Sequence, residues 1–395
     1  QLNDQNEPNA NTIPQVIYSY DGTNNATLAQ NLKGRLTRTQ YKDSNTGQWG
    51  YTWYSYNSLG LIEFVIQRHP GQSYYDDRTI SYTYDELGRI TKVSYDEGYS
   101  STNDHFFWYY YDELGRLEKV TSYGTDAAGS ALTEAEYTYY ADGQVKQLKL
   151  GGGAQTVDYD YTIQGWLEDI NDGAASGSDQ FGMFLDYTNS GNISQQQWSQ
   201  AAFSTGTYNY FYNYDPANRL SEACFGSTND CSTMGDYDVT YDYDDNGNIR
   251  LINRNGAGNE PDYEYDVTLE SETNKVDSIY VDGISGETEA VLKQYDHDAN
   301  GNMIKNEVQG IATVGTGITS VTYDWRNLPT SLSANGSTIT YAYDSDGNRI
   351  KKSIGSTTTW YVRGADGQTI ATYQGSTLLY LNILAGGQVI GQIQN

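Results

Sequence analysis

Several residue types are scarce in this chain of 395 residues. It has 2 Cys, 6 Pro, 3 His and 3 Met, and its hydrophobic fraction is 37%, below the roughly 45–50% that is usual for soluble globular domains. Basic residues are also few, since 23 Lys and Arg stand against 51 Asp and Glu and leave a formal net charge of −28. A surface this acidic repels phosphate backbones and anionic lipid, which excludes nucleic-acid binding by a basic surface. No apolar run approaches the about 20 residues of a membrane-spanning helix, so we expect no membrane insertion.

The two cysteines, Cys224 and Cys231, lie close together in the sequence. Their proximity favours a disulfide that closes a small loop, which would place the protein in an oxidising compartment. The alternative is a pair of free thiols in a reducing cytosol. Their spacing is not C-x-x-C, which argues against a redox or zinc site.

Tyrosine is the residue in excess, with 39 copies beside 8 Phe and 7 Trp, and an internal repeat accounts for it. The segments Tyr82–Ile90 and Tyr109–Leu117 are near copies of one unit, Tyr-x-Tyr-Asp-x-x-Gly-Arg/Asn-Leu/Ile. The unit recurs at Tyr212, Tyr241 and Tyr341. Degenerate copies start at Tyr18, Tyr54, Tyr137, Tyr159, Leu185, Tyr263, Tyr295, Val321 and Tyr361. About fourteen copies with a mean period of about 26 residues are typical of a stacked repeat protein.

Each unit predicts a β-hairpin. Tyr-x-Tyr places both rings on one face of a strand, and Asp-x-x-Gly predicts a type I turn followed by a glycine bulge. The residues predicted to hold these structural positions are Tyr82, Tyr84, Asp85, Gly88, Tyr109, Tyr111, Asp112, Gly115, Tyr241, Tyr243, Asp244, Gly247, Tyr341, Tyr343, Asp344 and Gly347. A lone hairpin is marginally stable, so we expect about 28 strands in one continuous all-β ribbon. In this ribbon each hairpin contacts the adjacent one and both faces are wet.

The unit resembles the YD repeat of the RHS-repeat family, which includes bacterial Rhs proteins, the B and C components of insecticidal toxin complexes, and animal teneurins. The resemblance covers nearly the whole chain and implies tandem hairpins wound as a spiral into a hollow, open β-shell. It implies that residues 13–359 form this shell and that residues 360–395 are the last repeat, leading toward a missing RHS-associated core domain. Residues 1–12 are expected to be a polar N-terminal arm.

One feature of the family has no counterpart in this sequence. Many bacterial members carry an aspartyl self-cleavage motif with paired Asp-Pro dipeptides, whereas Asp215-Pro216 is the only Asp-Pro here and belongs to an ordinary repeat turn. Neither a self-cleavage site nor a toxin can therefore be carried over onto these residues.

The candidate ligand and catalytic sites can be explained by the repeat structure and by packing, without a ligand or a catalytic role. The segment Asp296–Glu307 satisfies the EF-hand pattern with Asp296, Asp298, Asn300 and Glu307 as candidate calcium ligands, but its glycine is in register with the hairpin glycines and flanking helices are absent from the pattern. We therefore favour a hairpin turn over a calcium site and expect no cofactor.

No catalytic motif surrounds the three histidines, His69, His105 and His297, so we expect no enzyme activity. Exposed aromatic rings could stack on sugars, although Tyr ladders between hairpins explain them without a ligand. The tryptophan candidates for glycan contacts are Trp49, Trp53, Trp108, Trp166, Trp198, Trp325 and Trp360.

Two functional hypotheses follow. In the first, the chain is the structural shell of a secreted bacterial Rhs-type protein that encloses a C-terminal toxin or other polypeptide for export. Its partners would be its own core and toxin region or a capping protein, together with the secretion machinery, and the acidic wall would hold a basic cargo. In the second, the chain is a cell-surface adhesin whose variable loops bind protein or glycan. Both place the protein outside the cell.

Overall fold

The computed structural model describes residues 15–22, 29–96, 104–123, 131–173, 179–202, 206–227, 235–258, 262–283, 290–308 and 317–394. These residues form a sheet of thirty strands and contain no α-helix. The N-terminal arm predicted at residues 1–12 lies outside the described residues. None of the helical segments in the described ranges has the length and apolar character needed to cross a membrane.

The strands, numbered in chain order, are β1 Val16–Tyr20, β2 Leu36–Lys42, β3 Trp49–Tyr56, β4 Ile62–Arg68, β5 Arg78–Tyr84, β6 Ile90–Asp96, β7 His105–Tyr111, β8 Leu117–Tyr123, β9 Leu132–Tyr139, β10 Val145–Leu150, β11 Gln155–Tyr161, β12 Leu167–Ile170, β13 Phe181–Tyr187, β14 Ile193–Gln200, β15 Tyr208–Tyr214, β16 Leu220–Phe225, β17 Val239–Tyr243, β18 Ile249–Arg254, β19 Tyr263–Leu269, β20 Val276–Gly283, β21 Ala290–His297, β22 Met303–Val308, β23 Gly317–Tyr323, β24 Pro329–Ala334, β25 Ser337–Tyr343, β26 Arg349–Ile354, β27 Thr357–Arg363, β28 Thr369–Gln374, β29 Thr377–Ala385 and β30 Gln388–Gln394. One-turn 3₁₀ segments lie at Tyr74–Asp76, Gly151–Gly153 and Asn171–Gly173.

Strands that follow one another in the sequence pair antiparallel, as predicted for tandem hairpins. There are thirty strands and not about 28, because β29 and β30 form a further hairpin. This hairpin lacks the Tyr-x-Tyr-Asp turn and is joined instead by Gly386 and Gly387, both with positive φ. Two consecutive left-handed residues suit a tight two-residue hairpin loop, which the repeat pattern does not reveal.

The hairpin turns have the predicted geometry except in the copy predicted to start at Tyr263, where Asp266 lies within β19 and the turn falls at residues 270–275, because the strand continues for three residues past Asp266. In the hairpin of β5 and β6, the Gly88 amide donates to the Asp85 carbonyl and the Asp85 amide donates to the Arg89 carbonyl. The register shifts next to Tyr84, and Gly88 has φ +80°, which is the left-handed residue of a glycine bulge. The same shift falls beside the second tyrosine of β3, β7, β15, β17 and β25.

Packing divides the chain into two compact units, although the hairpins follow one another without interruption. Unit 1 contains residues 1–137, 150–152 and 321–395, and unit 2 contains residues 138–149 and 153–320. Among the described residues, the buried hydrophobic side chains of unit 2 are Leu185, Ala223 and Cys224, and all the others lie in unit 1. Unit 1 therefore has a hydrophobic core, whereas unit 2 is stabilised mainly by contacts within its sheet.

The core of unit 1 lies between its first and last hairpins. In the first hairpins it forms on the face that carries the Tyr-x-Tyr side chains, here called the Tyr face, where Val65 and Ile80 are fully buried. One hydrophobic cluster joins Val16 and Tyr41 to residues of β25 and β26. The last hairpins contribute their opposite face, because Val362 of β27 is fully buried beside its half-buried neighbour Tyr361.

The expectation that each hairpin contacts only the adjacent one, and that both faces are wet, is therefore wrong for unit 1. Here the strip overlaps itself, and the last hairpins cover the Tyr face of the first. In unit 2 the described positions that correspond to Ile80 are Val157, Met183, Tyr210, Val239 and Lys293, and all of them remain partly exposed. The predicted two-sided wet wall describes unit 2 only.

Candidate functional site

In seven repeats the second tyrosine joins its hairpin to the preceding one. Its hydroxyl donates to the carbonyl of the residue that begins the return strand of that hairpin, over distances of 2.6–2.8 Å. These bonds are Tyr56 to Leu36, Tyr84 to Ile62, Tyr111 to Ile90, Tyr187 to Leu167, Tyr214 to Ile193, Tyr243 to Leu220 and Tyr343 to Pro329. Burial raises the pKa of these hydroxyls, to about 12 for Tyr343, so they remain donors at neutral pH.

The aspartate of the unit organises the turn. The Asp85 carboxylate accepts from the amides of Leu87 and Arg89 and from Nε of the Arg89 side chain at 2.7 Å. Asp112 and Asp215 make the same set of contacts with Arg116 and Arg219. The Arg89 amide, followed by its side chain, lowers the pKa of Asp85 despite some desolvation.

Repeats with asparagine in place of this arginine keep the turn. Asn248 Nδ2 donates to Asp244 at 2.9 Å, and Asn348 Nδ2 donates to Asp344 at 3.1 Å. The amide thus replaces the guanidinium as a hydrogen-bond donor to the carboxylate, which explains why the unit accepts either Arg or Asn at this position.

The arginine of one repeat also lies over the second tyrosine of the next. The Arg89 guanidinium is 4.4 Å from the Tyr111 ring centroid, and the Arg219 guanidinium is 4.5 Å from that of Tyr243. These distances are within the range of a cation–π contact. Each such repeat is therefore held to its neighbour by a hydrogen bond from the tyrosine hydroxyl and by a cation–π contact, and both use positions that recur in the internal unit.

We predict that removing one of these hydroxyls weakens the strip measurably. Tyr111→Phe deletes the 2.8 Å bond to Ile90 and leaves that carbonyl without its donor, which should lower the free energy of unfolding by about 1 kcal/mol. The matched control is Tyr110→Phe, because this neighbouring ring lies on the opposite face and is 37% exposed. Urea unfolding of both variants measures the difference. Equal unfolding midpoints would show that the hydrogen bond from Tyr111 to Ile90 does not stabilise the strip.

The first tyrosine of each repeat has different surroundings in unit 1 and in unit 2. In unit 1, burial raises the pKa of Tyr82 and Tyr109 strongly, and the Tyr82 hydroxyl accepts from the Ala365 amide at 2.8 Å. The side chains of Tyr82, Tyr109, Tyr241 and Tyr341 are all partly exposed.

Polar contacts lock the overlap in unit 1. Lys351 Nζ lies 2.9 Å from the Asp43 carboxylate, whose side chain is 0% exposed. The Gln67 side chain bonds to both the carbonyl and the amide of Arg363, at 2.7 and 2.9 Å. Sequence reasoning missed these residues, since Asp43, Gln67 and Lys351 occupy no signature position of the repeat and Arg363 replaces the second tyrosine of its copy.

A histidine is buried in the same overlap. His69 Nε2 is 3.0 Å from the Tyr361 carbonyl, and its ring lies 5.0 Å from that of Trp360. Burial lowers the pKa of His69 to about 4, although its hydrogen bonds to Tyr361 and Gln72 oppose this. His69 therefore packs as a neutral ring at neutral pH.

We predict that this burial makes unit 1 sensitive to acid. Below the ordinary His pKa of 6.5 the unfolded chain takes up a proton, while His69 in the folded chain stays neutral down to about pH 4. Its contribution to stability is thus intact above about pH 6.5 and falls by up to about 3 kcal/mol as the pH drops to about 4. Unfolding of wild type and His69→Gln across this range measures the effect, and parallel curves would contradict it.

The candidate calcium ligands lie in the hairpin of β21 and β22. Asp298 accepts from the amides of Asn300 and Asn302, as a hairpin aspartate does. Lys305 lies 2.9 Å from Glu307 and 3.8 Å from Asp296. Each acidic member is thus already engaged by a turn amide or a lysine. Over the described ranges, no group of three or more His, Cys, Asp or Glu residues is arranged to hold a metal ion.

The cysteine pair is described in part. Cys224 lies in β16 and is 1% exposed, while Cys231 lies outside the described residues, so the disulfide stays a prediction. Of the other two histidines, His297 in unit 2 has its Nδ1 2.9 Å from the Glu270 carboxylate, and His105 in unit 1 is at the start of β7.

An aromatic cleft on the Tyr face of unit 2 went unrecognised in the sequence apart from Trp198. Its volume is about 300 Å³, and its aromatic lining is Trp198, Tyr208, Tyr210, Phe225 and Tyr237. The available signal was the run Tyr208–Tyr214, which places four tyrosines on one face where a normal unit places two.

Comparison of the structure with solved structures identifies the fold. One match is a chain of the Photorhabdus luminescens Tc holotoxin pore, with 12% identity and a TM-score of 0.54 over 96% of this chain and 21% of that chain. The chain has the fold of the RHS/YD-repeat shells. Chains from two crystal structures of TcdB2–TccC3 match this YD-repeat strip as well. One has 11% identity and a TM-score of 0.50 over 93% of this chain and 21% of that chain, and the other has 14% identity and a TM-score of 0.50 over 96% and 22%.

These likenesses concern the fold of the YD-repeat strip. The chain spans about a fifth of the length of the chains that it matches. No family model and no curated protein matches the sequence.

Proposed function

We propose that this chain is a non-enzymatic wall segment of an exported shell that encloses a polypeptide. The observation that carries the proposal is the overlap in unit 1. There the last hairpins cover the Tyr face of the first, so that face is suited to packing against another layer of protein.

The uncovered Tyr face of unit 2 offers the same kind of surface to a partner. Val157 and Val239 remain partly exposed there, at positions where unit 1 buries side chains such as Ile80. With 51 acidic against 23 basic residues, the wall favours a basic polypeptide by charge complementarity. The Tc proteins that share the fold are toxin components by name, which agrees with this proposal.

A protease-protection experiment tests enclosure. A basic, unstructured reporter with tryptic sites is fused after Asn395, and its cleavage is compared with that of the free reporter. Enclosure predicts cleavage slowed at least about tenfold. The control is the same fusion carrying Leu381→Ala, which weakens the overlap and should restore rapid cleavage. A reporter cut in the intact fusion as fast as when free would overturn the proposal.

A surface scaffold is the second candidate, and a specific loop favours it. Between β4 and β5, Tyr74 and Tyr75 are 55% and 51% exposed with ring centroids 3.9 Å apart. The Ser73 and Asp76 side chains cap this turn reciprocally, so the exposed pair is held in place. Rigid exposed aromatics are typical of protein contact sites. If the chain is a surface scaffold, the double variant Tyr74→Ser Tyr75→Ser should no longer bind its protein partner. Cleavage of the fused reporter should be unaffected.

A further inference from the structure

The aromatic cleft in unit 2 has rings in two orientations. Trp198 is nearly parallel to Tyr210, with centroids 5.8 Å apart and an angle of 9° between the planes, and is 27° from Tyr208 at 5.6 Å. Phe225 stands at 61° to Tyr210 and at 81° to Tyr237. Phe225 is also 28° from Tyr208, so the lining combines near-parallel rings with rings that present their edges.

One wall of the cleft is held in an unfavourable backbone conformation. Tyr237 has φ +65° and is 44% exposed. A bulky residue in the left-handed region is uncommon and costs about 1–2 kcal/mol. The Tyr210 hydroxyl donates to the Tyr237 carbonyl at 3.0 Å and fixes this position. Such strain persists where the structure around it imposes it, and it is enriched at binding sites.

A buried carboxylate lies beside the backbone of these aromatic residues. Asp238 is 3% exposed, and its carboxylate accepts from the amides of Phe225 at 2.6 Å and Gly235 at 2.7 Å. It has no ion-pair partner in the part of the chain that the structure describes. Burial raises the pKa of Tyr210, Arg254 lowers it and Asp238 raises it. Arg254 is thus close enough to Tyr210 to affect its pKa. Neither Arg254 nor any other described Lys or Arg makes a cation–π contact with the five rings.

We infer that this cleft binds an organic cation, either a quaternary ammonium group or the side chain of a lysine or arginine. Aromatic walls around a small cleft attract such cations through their electron-rich faces, and the Asp238 carboxylate adds a complementary charge. Elsewhere in the chain, cation–π contacts pair its own arginines with tyrosines, as Arg89 does with Tyr111. The cleft offers the same chemistry to a cation from outside. This inference does not depend on enclosure.

Calorimetric titration of the full chain tests the inference. The probes are choline, its neutral isostere with a tert-butyl group in place of trimethylammonium, N-acetyl-lysinamide, N-acetyl-argininamide and maltose. We expect choline or one of the amino-acid amides to bind at least about tenfold more tightly than the neutral isostere. Preference for choline identifies a small quaternary amine as the source of the cation, and preference for an amide identifies a basic polypeptide.

Two variants locate the site. Trp198→Ala should weaken cation binding about tenfold, whereas Trp166→Ala should not, because Trp166 pairs with Tyr187 at 5.1 Å outside the cleft. Tyr237→Gly removes a wall while relieving the backbone strain, so it should weaken binding without lowering stability. Equal binding of the neutral isostere, binding of maltose alone, or cation binding unchanged in both Trp198→Ala and Tyr237→Gly would overturn the inference.

Discussion

Leu381→Ala should lower the free energy of unfolding of unit 1 by about 2–5 kcal/mol, the usual cost of truncating a fully buried leucine. Leu381 lies in β29 between Ala371 and Ile393 and is 0% exposed. Neighbours within a sheet do not cover its face, so complete burial requires a second layer. The Tyr95 and Tyr373 hydroxyls are 2.6 Å apart, so the first hairpins of unit 1 lie against this part of the last hairpins and we expect them to provide that layer.

The control for this prediction is another leucine that the structure leaves in solvent. Leu114 lies in the turn between β7 and β8 and is 76% exposed. Leu114→Ala should change stability by no more than about 0.5 kcal/mol. Urea unfolding, followed by tyrosine and tryptophan fluorescence, measures both variants. Equal shifts of the midpoint would show that the last hairpins do not pack on the first.

Lys351→Met should be similarly damaging, with a loss of about 3–5 kcal/mol, because it leaves the Asp43 carboxylate buried without its cation. The two groups are 2.9 Å apart, and the side chains are 13% and 0% exposed for Lys351 and Asp43. The double variant Asp43→Asn Lys351→Met should recover part of the loss, since no unpaired charge then remains. Chemical unfolding of the single and double variants measures this recovery.

A surface pair of the same geometry is the matched control. Lys305 and Glu307 are also 2.9 Å apart, but their side chains are 34% and 42% exposed. Solvent screens such a pair, so Lys305→Met should leave the unfolding midpoint nearly unchanged. If Lys351→Met were as mild as Lys305→Met, the ends of the strip would not be locked by the buried charge pair.

Much of the local structure was predictable because its causes lie within one or two repeats. The Asp85 turn with Gly88 at positive φ, and the alternation that puts Tyr82 and Tyr84 on one face, follow from the nine residues of the unit. The bond from Tyr84 to Ile62 spans 22 positions, less than one period. The hairpin of β29 and β30 escaped the pattern, because a Gly-Gly loop needs neither the tyrosines nor the aspartate.

Only part of the aromatic cleft could be predicted from the sequence. The run of four tyrosines from Tyr208 to Tyr214 stands in the sequence, but the contributions of Trp198, Phe225 and Tyr237 come from three other positions along the strip. Strand register brings them together, since Trp198 lies opposite Tyr208 and Phe225 lies opposite Tyr210. The local sequence pattern does not predict that Tyr237 takes a left-handed backbone conformation.

The sequence by itself determined an acidic, all-β strip of tandem hairpins, with turns closed by aspartate and neighbours joined by tyrosine. Only the tertiary structure decided where the strip covers itself. Asp43 meets Lys351 across 308 positions, and Tyr95 meets Tyr373 across 278. Such meetings depend on strand twist and coiling summed over many hairpins, and small differences in each hairpin accumulate. A period of about 26 residues therefore specifies each hairpin and its neighbour, but not which distant hairpins come to lie against each other.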